Sequence, residues 1–160
     1  MPKPLVYLET TIFSFYHDER ESHEVKSMRA WTRDWWENYR TGYDLVTSVA
    51  VLAELARGSL PHRHAAQAMA AALPALPFTP EASRIVAAYI AAKVMPADPL
   101  GDALHLALAS LRRCDYLLTW NCQHIANASK FDHIHSVNGR LGIFVPKLIT
   151  PLELIGSAAP

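Results

Sequence analysis

Cysteine is scarce in this 160-residue chain: Cys114 and Cys122 are the two present, and no Cys-x-x-Cys spacing occurs. That excludes a disulfide scaffold and a thiolate zinc site, and it predicts a reduced, cytoplasmic setting. Net charge is also missing. Fifteen Lys and Arg balance fifteen Asp and Glu, so bulk charge does not make the chain a nucleic-acid clamp, although a local basic face is compatible with that balance. No apolar run is long enough to cross a bilayer. The run after Met1-Pro2-Lys3-Pro4 stops at Glu9, too short for a signal peptide or a span, so no membrane association is expected. There is no glycine-rich phosphate loop, internal repeat, low-complexity tract or domain linker. What remains, 51% hydrophobic and 19% charged, is the composition of one globular domain over residues 1–160.

Short apolar runs alternate with helical stretches. Residues 4–8, 43–47, 74–78, 115–119 and 143–145 read as strands, the third one short because Pro lacks a ladder donor. Thr10-Thr11-Ile12 reads as a turn into a short helix. Helices are expected over 21–41, from Ser48 as cap to near Gly58, over 62–73, from Thr79-Pro80 to about Val94, and over 101–113. A short helix at 122–128 and a last turn from Thr150-Pro151 complete the reading, with Pro96–Pro99 as a rigid loop. Such alternation specifies an α/β fold with a parallel sheet covered on both faces. In that class the site lies beyond the carboxyl ends of the strands, where strand order switches.

Four polar residues sit at element ends next to apolar runs: Glu9 after Leu5-Val6-Tyr7-Leu8, Glu54 within Val49–Ala56, Asp102 before Ala103–Ala109, and Asn121 after Tyr116–Trp120. A carboxylate among Leu, Val and Ala is expensive to desolvate without a partner. Several of them at one sheet edge point to a shared cation. Oxygen ligands of this kind suit Mg²⁺ or Mn²⁺ rather than zinc, and such an ion can activate water and polarise a phosphodiester. The plain alternative is that Glu9 and Asp102 cap helices and Glu54 is a solvated helix residue.

Other residues carry weaker signals. His105, three positions after Asp102, shares its helix face and is suited to orient a carboxylate, to contact phosphate, or to bond within the core. His124 and Asn127 could line the cleft, with Asn127 alternatively a helix cap. Asp132, His133 and His135 read as a solvated segment rather than a metal site, and Asp98 as an exposed turn residue. Trp31, Trp35, Trp36 and Tyr39 fall at helical spacing, which suggests packing in the core or against a partner chain, with base stacking as the functional alternative. Arg29, Arg33, Arg40, Arg57, Arg63, Arg112, Arg113 and Lys130 are available for phosphate contacts, with solvation as their default.

Tyr7-Leu8-Glu9-Thr10-Thr11, Glu54-Leu55-Ala56-Arg57-Gly58, Asp102–Ala107 and Asp115–Asn121 resemble, in order and spacing, the successive motifs of the PIN domain family. The similarity is closest to the VapC toxins of bacterial type II toxin–antitoxin systems. The resemblance implies a three-layer α/β/α sandwich and a Mg²⁺- or Mn²⁺-dependent endoribonuclease that cuts tRNA or rRNA. It also implies restraint by a cognate antitoxin, and commonly a homodimer. By position, Glu9 stands for the family's first Asp, Glu54 for its Glu, Asp102 for its third acid and Asn121 for its last Asp. Thr11 and Thr119 match hydroxyl residues beside the metal, and His105 is added to that outer position from its spacing to Asp102 alone. Two departures follow: Glu9 is one methylene longer than Asp, and Asn121 removes a charge.

Two other functions compete with the nuclease. One is a non-catalytic PIN-like module that binds RNA or protein through a degenerate site. The other is a flavodoxin-like or haloacid-type enzyme acting on a small phosphate ester, which the missing Asp-x-Asp after the first strand disfavours.

Overall fold

A computed structural model describes residues 2–59, 61–95, 101–122 and 125–158. The expected turn residue Asp98 and the cleft candidate His124 lie outside them. Five strands, β1 (Leu5–Leu8), β2 (Asp44–Ser48), β3 (Ala75–Leu76), β4 (Tyr116–Leu118) and β5 (Lys147–Ile149), form an all-parallel sheet in the order β3-β2-β1-β4-β5. Among the described residues eight α-helices surround it. They are α1 (Thr10–Tyr16), α2 (His23–Asn38), α3 (Val49–Arg57), α4 (Arg63–Ala71), α5 (Pro80–Ala91), α6 (Asp102–Leu111), α7 (Ala128–Leu141) and α8 (Pro151–Ala158).

Strand order explains the layers. Steps from β1 to β2 to β3 run one way across the sheet, and the steps through β4 to β5 run the other way. With right-handed crossovers this places α1 to α4 on one face and α5 to α7 on the opposite face, a three-layer α/β/α sandwich. The helix packing agrees: α1 packs on α2 and α4, α3 on α4, and α5 on α6. On the second face Tyr89 of α5 donates to Asn138 Oδ1 of α7 at 2.6 Å, and Asn138 Nδ2 donates to Ser110 Oγ of α6 at 3.0 Å. All three residues are buried, so this polar knot fixes the relative positions of three helices in an otherwise apolar layer.

The expected caps are present. Ser48 Oγ accepts from Val51 N–H, and Thr79 Oγ1 accepts from Ala82 N–H with Pro80 in the first turn. Central β1 is buried at Val6, Tyr7 and Leu8, and Trp35 of α2 fills the core beside it.

Two expectations are corrected. The fifth strand is Lys147–Ile149, not residues 143–145. Gly142 takes a left-handed conformation at φ +70° that ends α7, and Ile143 N–H is consumed by Asn138 O in that cap. Pro146 then has no proton to donate, so the ladder opens with Lys147 N–H on Asp115 O. The second correction concerns the short helix at 122–128. Of its described residues, Ala128 alone is helical, as the first residue of the 14-residue α7, which the sequence reading missed. Ile125 and Ala126 N–H turn back to Asn121 O, and Asn127 Oδ1 caps the real helix through Ser129 N–H.

Candidate metal centre

The sheet order changes direction between β1 and β4, which pair with Leu8 opposite Leu118. That register brings the next residues, Glu9 and Thr119, side by side at the carboxyl edge. Glu9 N–H bonds Leu118 O at 3.1 Å, prolonging the ladder by one step before the chains diverge. Glu9 also caps α1, so the capping alternative is true of it, but its carboxylate does more. Oε1 accepts from Thr11 N–H at 3.1 Å, Thr11 Oγ1 at 2.5 Å and Thr119 Oγ1 at 2.7 Å. Both threonines in turn accept backbone N–H groups, Thr11 from Trp120 at 2.8 Å and Thr119 from Asn121 at 2.9 Å. The turn after β4 thereby aims its amide dipoles through two hydroxyls at one oxygen. Oε2 has no hydrogen-bond partner among the described residues. The residue is 4% exposed, and burial pushes its pKa up despite opposition from the His105 charge and the threonine bonds.

Glu54 approaches from the other side. It is the sixth residue of α3, one and a half turns past the Ser48 cap, and half-buried. Its Oε1 meets His105 Nε2 at 2.7 Å and its Oε2 accepts from Thr10 Oγ1 at 2.7 Å. His105 comes from α6, so the bond crosses from one helical layer to the other over the end of β1. The other imidazole nitrogen, Nδ1, lies 2.7 Å from Tyr7 OH, which lies 2.7 Å from Ser48 Oγ. Burial opposes charge on His105, but the Glu54 bond and the charges of Glu9, Glu54 and Asp102 outweigh it and raise its pKa. Burial likewise opposes charge on Glu54, and there the His105 bond and charge, Thr10 and Arg57 win and lower the pKa. Both shifts favour the charged pair, imidazolium beside carboxylate. In that state both ring nitrogens donate, Nδ1–H to Tyr7 OH and Tyr7 OH onward to Ser48 Oγ.

One ligand atom each from Glu9, Glu54 and His105 lie within 4.8 Å of one another, the one such group among the described residues. Asp102, the first residue of α6, is outside this group. Its Oδ1 and Oδ2 both face Asn121 Nδ2 at 3.0 Å, and its charge is felt at His105. The four sequence-selected residues thus form two neighbouring parts, Glu9 with Glu54 and Asp102 with Asn121, joined electrostatically through His105. The donor chemistry fits a hard divalent ion. Glu9 Oε2 is open, the carboxylates are concentrated, and both His105 nitrogens are committed to Glu54 and Tyr7. Glu9 and Glu54 are placed to hold such an ion, with His105 setting the Glu54 rotamer, and Asp102 stands beside them bonded to Asn121.

The remaining candidates disperse. Asp132, His133 and His135 are exposed on α7. Trp35 is core, whereas Trp31 is part-exposed and stacks on Trp120 at 6.0 Å between centroids. Arg29, Arg33 and Arg40 donate to the carbonyls of Asp18, Tyr16 and Trp36. Tyr7, Thr10 and Ser48 were not singled out for the site from sequence. Tyr7 looks like any strand residue, Ser48 like a cap and Thr10 like a turn, and only folding brings their hydroxyls to the carboxylates.

No helix among the described residues is long and apolar enough to cross a membrane. Compared with known proteins, the chain matches the family model described as PIN domain over residues 6–125, and no curated protein matches it.

Proposed function

The chain belongs to the PIN domain family, and on that premise we propose that it is a Mg²⁺- or Mn²⁺-dependent endoribonuclease. The observation carrying the reading is the convergence of Glu9, Glu54 and His105 within 4.8 Å at the sheet's switch point. When bound, the ion would lower the pKa of a water and neutralise charge on the scissile phosphodiester.

The chain's own residues do the rest. Thr11 and Thr119 lock Glu9 Oε1, so Oε2 is presented in one orientation. His105 and Thr10 hold both oxygens of Glu54, and Tyr7 with Ser48 holds His105. Such fixed dipoles need no rearrangement as charge develops during reaction. The site is recessed at the sheet edge, which favours single-stranded or looped RNA whose backbone can be splayed into it.

Within this reading the chain is a VapC-like toxin acting on tRNA or rRNA, neutralised by a cognate antitoxin and working as a homodimer. The part-exposed Trp31 on α2 is a suitable contact for such partners. The bond from Asn121 to both Asp102 oxygens favours a second reading, a non-catalytic PIN module, because an ion would have to compete for that carboxylate.

RNA cleavage by the wild type, Glu54→Ala and Asp102→Ala, with and without Mg²⁺ or Mn²⁺, separates the two. The nuclease reading expects metal-dependent cutting that falls at least a hundredfold in both variants. Metal binding without cutting supports the non-catalytic module, and cutting independent of metal sinks the mechanism. Growth arrest on expression, relieved by an adjacent small gene's product, tests the toxin role.

A further inference from the structure

A second feature adjoins the carboxylates and has no part in the chemistry described so far. Between α1, α3 and the start of α4 lies a small cavity, about 50 Å³, lined by Thr10, Ser14, Glu54, Gly58, His62 and Arg63. It shares Thr10 and Glu54 with the metal centre, so the two lie side by side.

We propose that this cavity is a subsite for an RNA backbone phosphate next to the one cleaved, held by Arg63 with His62. The ligand's identity rests on the nuclease reading above. Arg63 Nη1 donates to Gly58 O at 3.1 Å, which fixes the guanidinium at the cavity rim, and no carboxylate among the described residues pairs with it. A positioned arginine with remaining donors matches the tetrahedral oxygens of a phosphate. His62 Nε2 is buried without a hydrogen-bond partner, and its side chain makes no capping bond to α4. A buried polar atom left in that state is costly unless a ligand completes it. Ser14 adds a hydroxyl, and the cavity opens on the first turn of the nine-residue α4, whose N-terminus favours an anion.

Glu54 does not spoil the site for a phosphate. It lines the cavity, but its two oxygens are already engaged by His105 and Thr10. The volume suits one phosphate group better than a nucleobase. Arg29, Arg33 and Arg40 also bond to carbonyls, as Arg63 does, but none of the three lines this cavity.

The test is binding of a 5′-fluorescein-labelled single-stranded RNA dodecamer to the full chain by anisotropy, with Ca²⁺ in place of Mg²⁺ or Mn²⁺, across a salt series. Arg63→Gln is expected to weaken binding about tenfold and to flatten the slope of log K against log salt by roughly 0.7, the share of one single-strand phosphate contact. Arg63→Lys should restore part of both, and Arg140→Gln, on the exposed far end of α7, should change neither. Cleavage with Mn²⁺ should show a raised KM and an unchanged kcat in Arg63→Gln. Equal affinity and slope in wild type and Arg63→Gln, or no binding by the wild type, overturns the subsite. Arg63-dependent binding without any cleavage leaves the subsite standing and removes the nuclease reading. Cleavage with KM unchanged in Arg63→Gln does the reverse.

Discussion

His105 Nε2 and Glu54 Oε1 lie 2.7 Å apart, and this bond joins a helix from one layer of the sandwich to a helix from the other. The imidazole is 1% exposed, so the pair sits in a low-dielectric setting where losing one member is costly. His105→Ala is expected to lower activity and Mn²⁺ affinity by about 10–100-fold, the usual effect of removing an outer-shell orienting group. It should also cost about 1–3 kcal/mol of stability, since Tyr7 OH and Glu54 lose a partner. Steady-state kinetics, Mn²⁺ titration and thermal melts check this, and an unchanged metal affinity would count against the positioning role.

Glu9 gives a prediction of opposite sign for stability. An acid whose folded pKa is raised costs stability once pH exceeds its unfolded value, and the cost is complete above the folded pKa. Glu9→Gln should therefore raise the melting temperature of the metal-free protein at pH 7 and have no such effect below about pH 4, where the unfolded acid is protonated. It should also abolish the rise in melting temperature on adding Mn²⁺. Scanning fluorimetry in EDTA and in Mn²⁺, at both pH values, measures all three effects.

Asp18 titrates the other way. It is buried, and the hydrogen bonds from Arg20, the shortest at 2.6 Å, hold its carboxyl below the usual range. A depressed folded pKa gives stability that is present above about pH 4 and lost as pH falls through the folded value. Asp18→Asn should cost about 1 kcal/mol at pH 7, modest because Arg20 itself is exposed. The gap from wild type should close in strong acid, which urea melts at pH 7 and pH 2.5 will show.

Asn138 tests the polar knot under the sheet. Asn138→Ala leaves Tyr89 OH with only the longer 3.4 Å bond to Ser110 Oγ and removes the Asn138 bonds to Ser110 Oγ and Phe144 O, so about 1–3 kcal/mol should be lost. Because the knot is remote from the carboxylates, kcat and Mn²⁺ affinity should stay at wild-type values in the folded fraction. A change in metal affinity would mean that the two helical layers are coupled through α6.

How much of this was legible in the chain follows from particular residues. Strand and helix alternation, the Ser48 and Thr79 caps, the placing of Glu9, Asp102 and Asn121 at element ends and that of Glu54 inside the helix after β2 are local facts. They rest on side-chain periodicity and capping chemistry, and the parallel sheet follows from them. The region after Asn121 was illegible for a local reason as well. Residues 128–141 include Ser, Asn, His and Gly, weak helix formers whose helix depends on burying Ile134 and Val137. The apolar Ile143-Phe144-Val145 imitates a strand, but the Gly142 cap and Pro146 take away its donors.

The sequence by itself determined that carboxylates would collect at one edge of a parallel sheet, because it determined which elements form and in what order. Tertiary structure alone decided the partition of those carboxylates, pairing Glu54 with His105 and leaving Asp102 to Asn121. Those contacts depend on register and on the meeting of α3 with α6 across the sheet, distances of a few ångströms between residues far apart in the chain, and no local propensity encodes them.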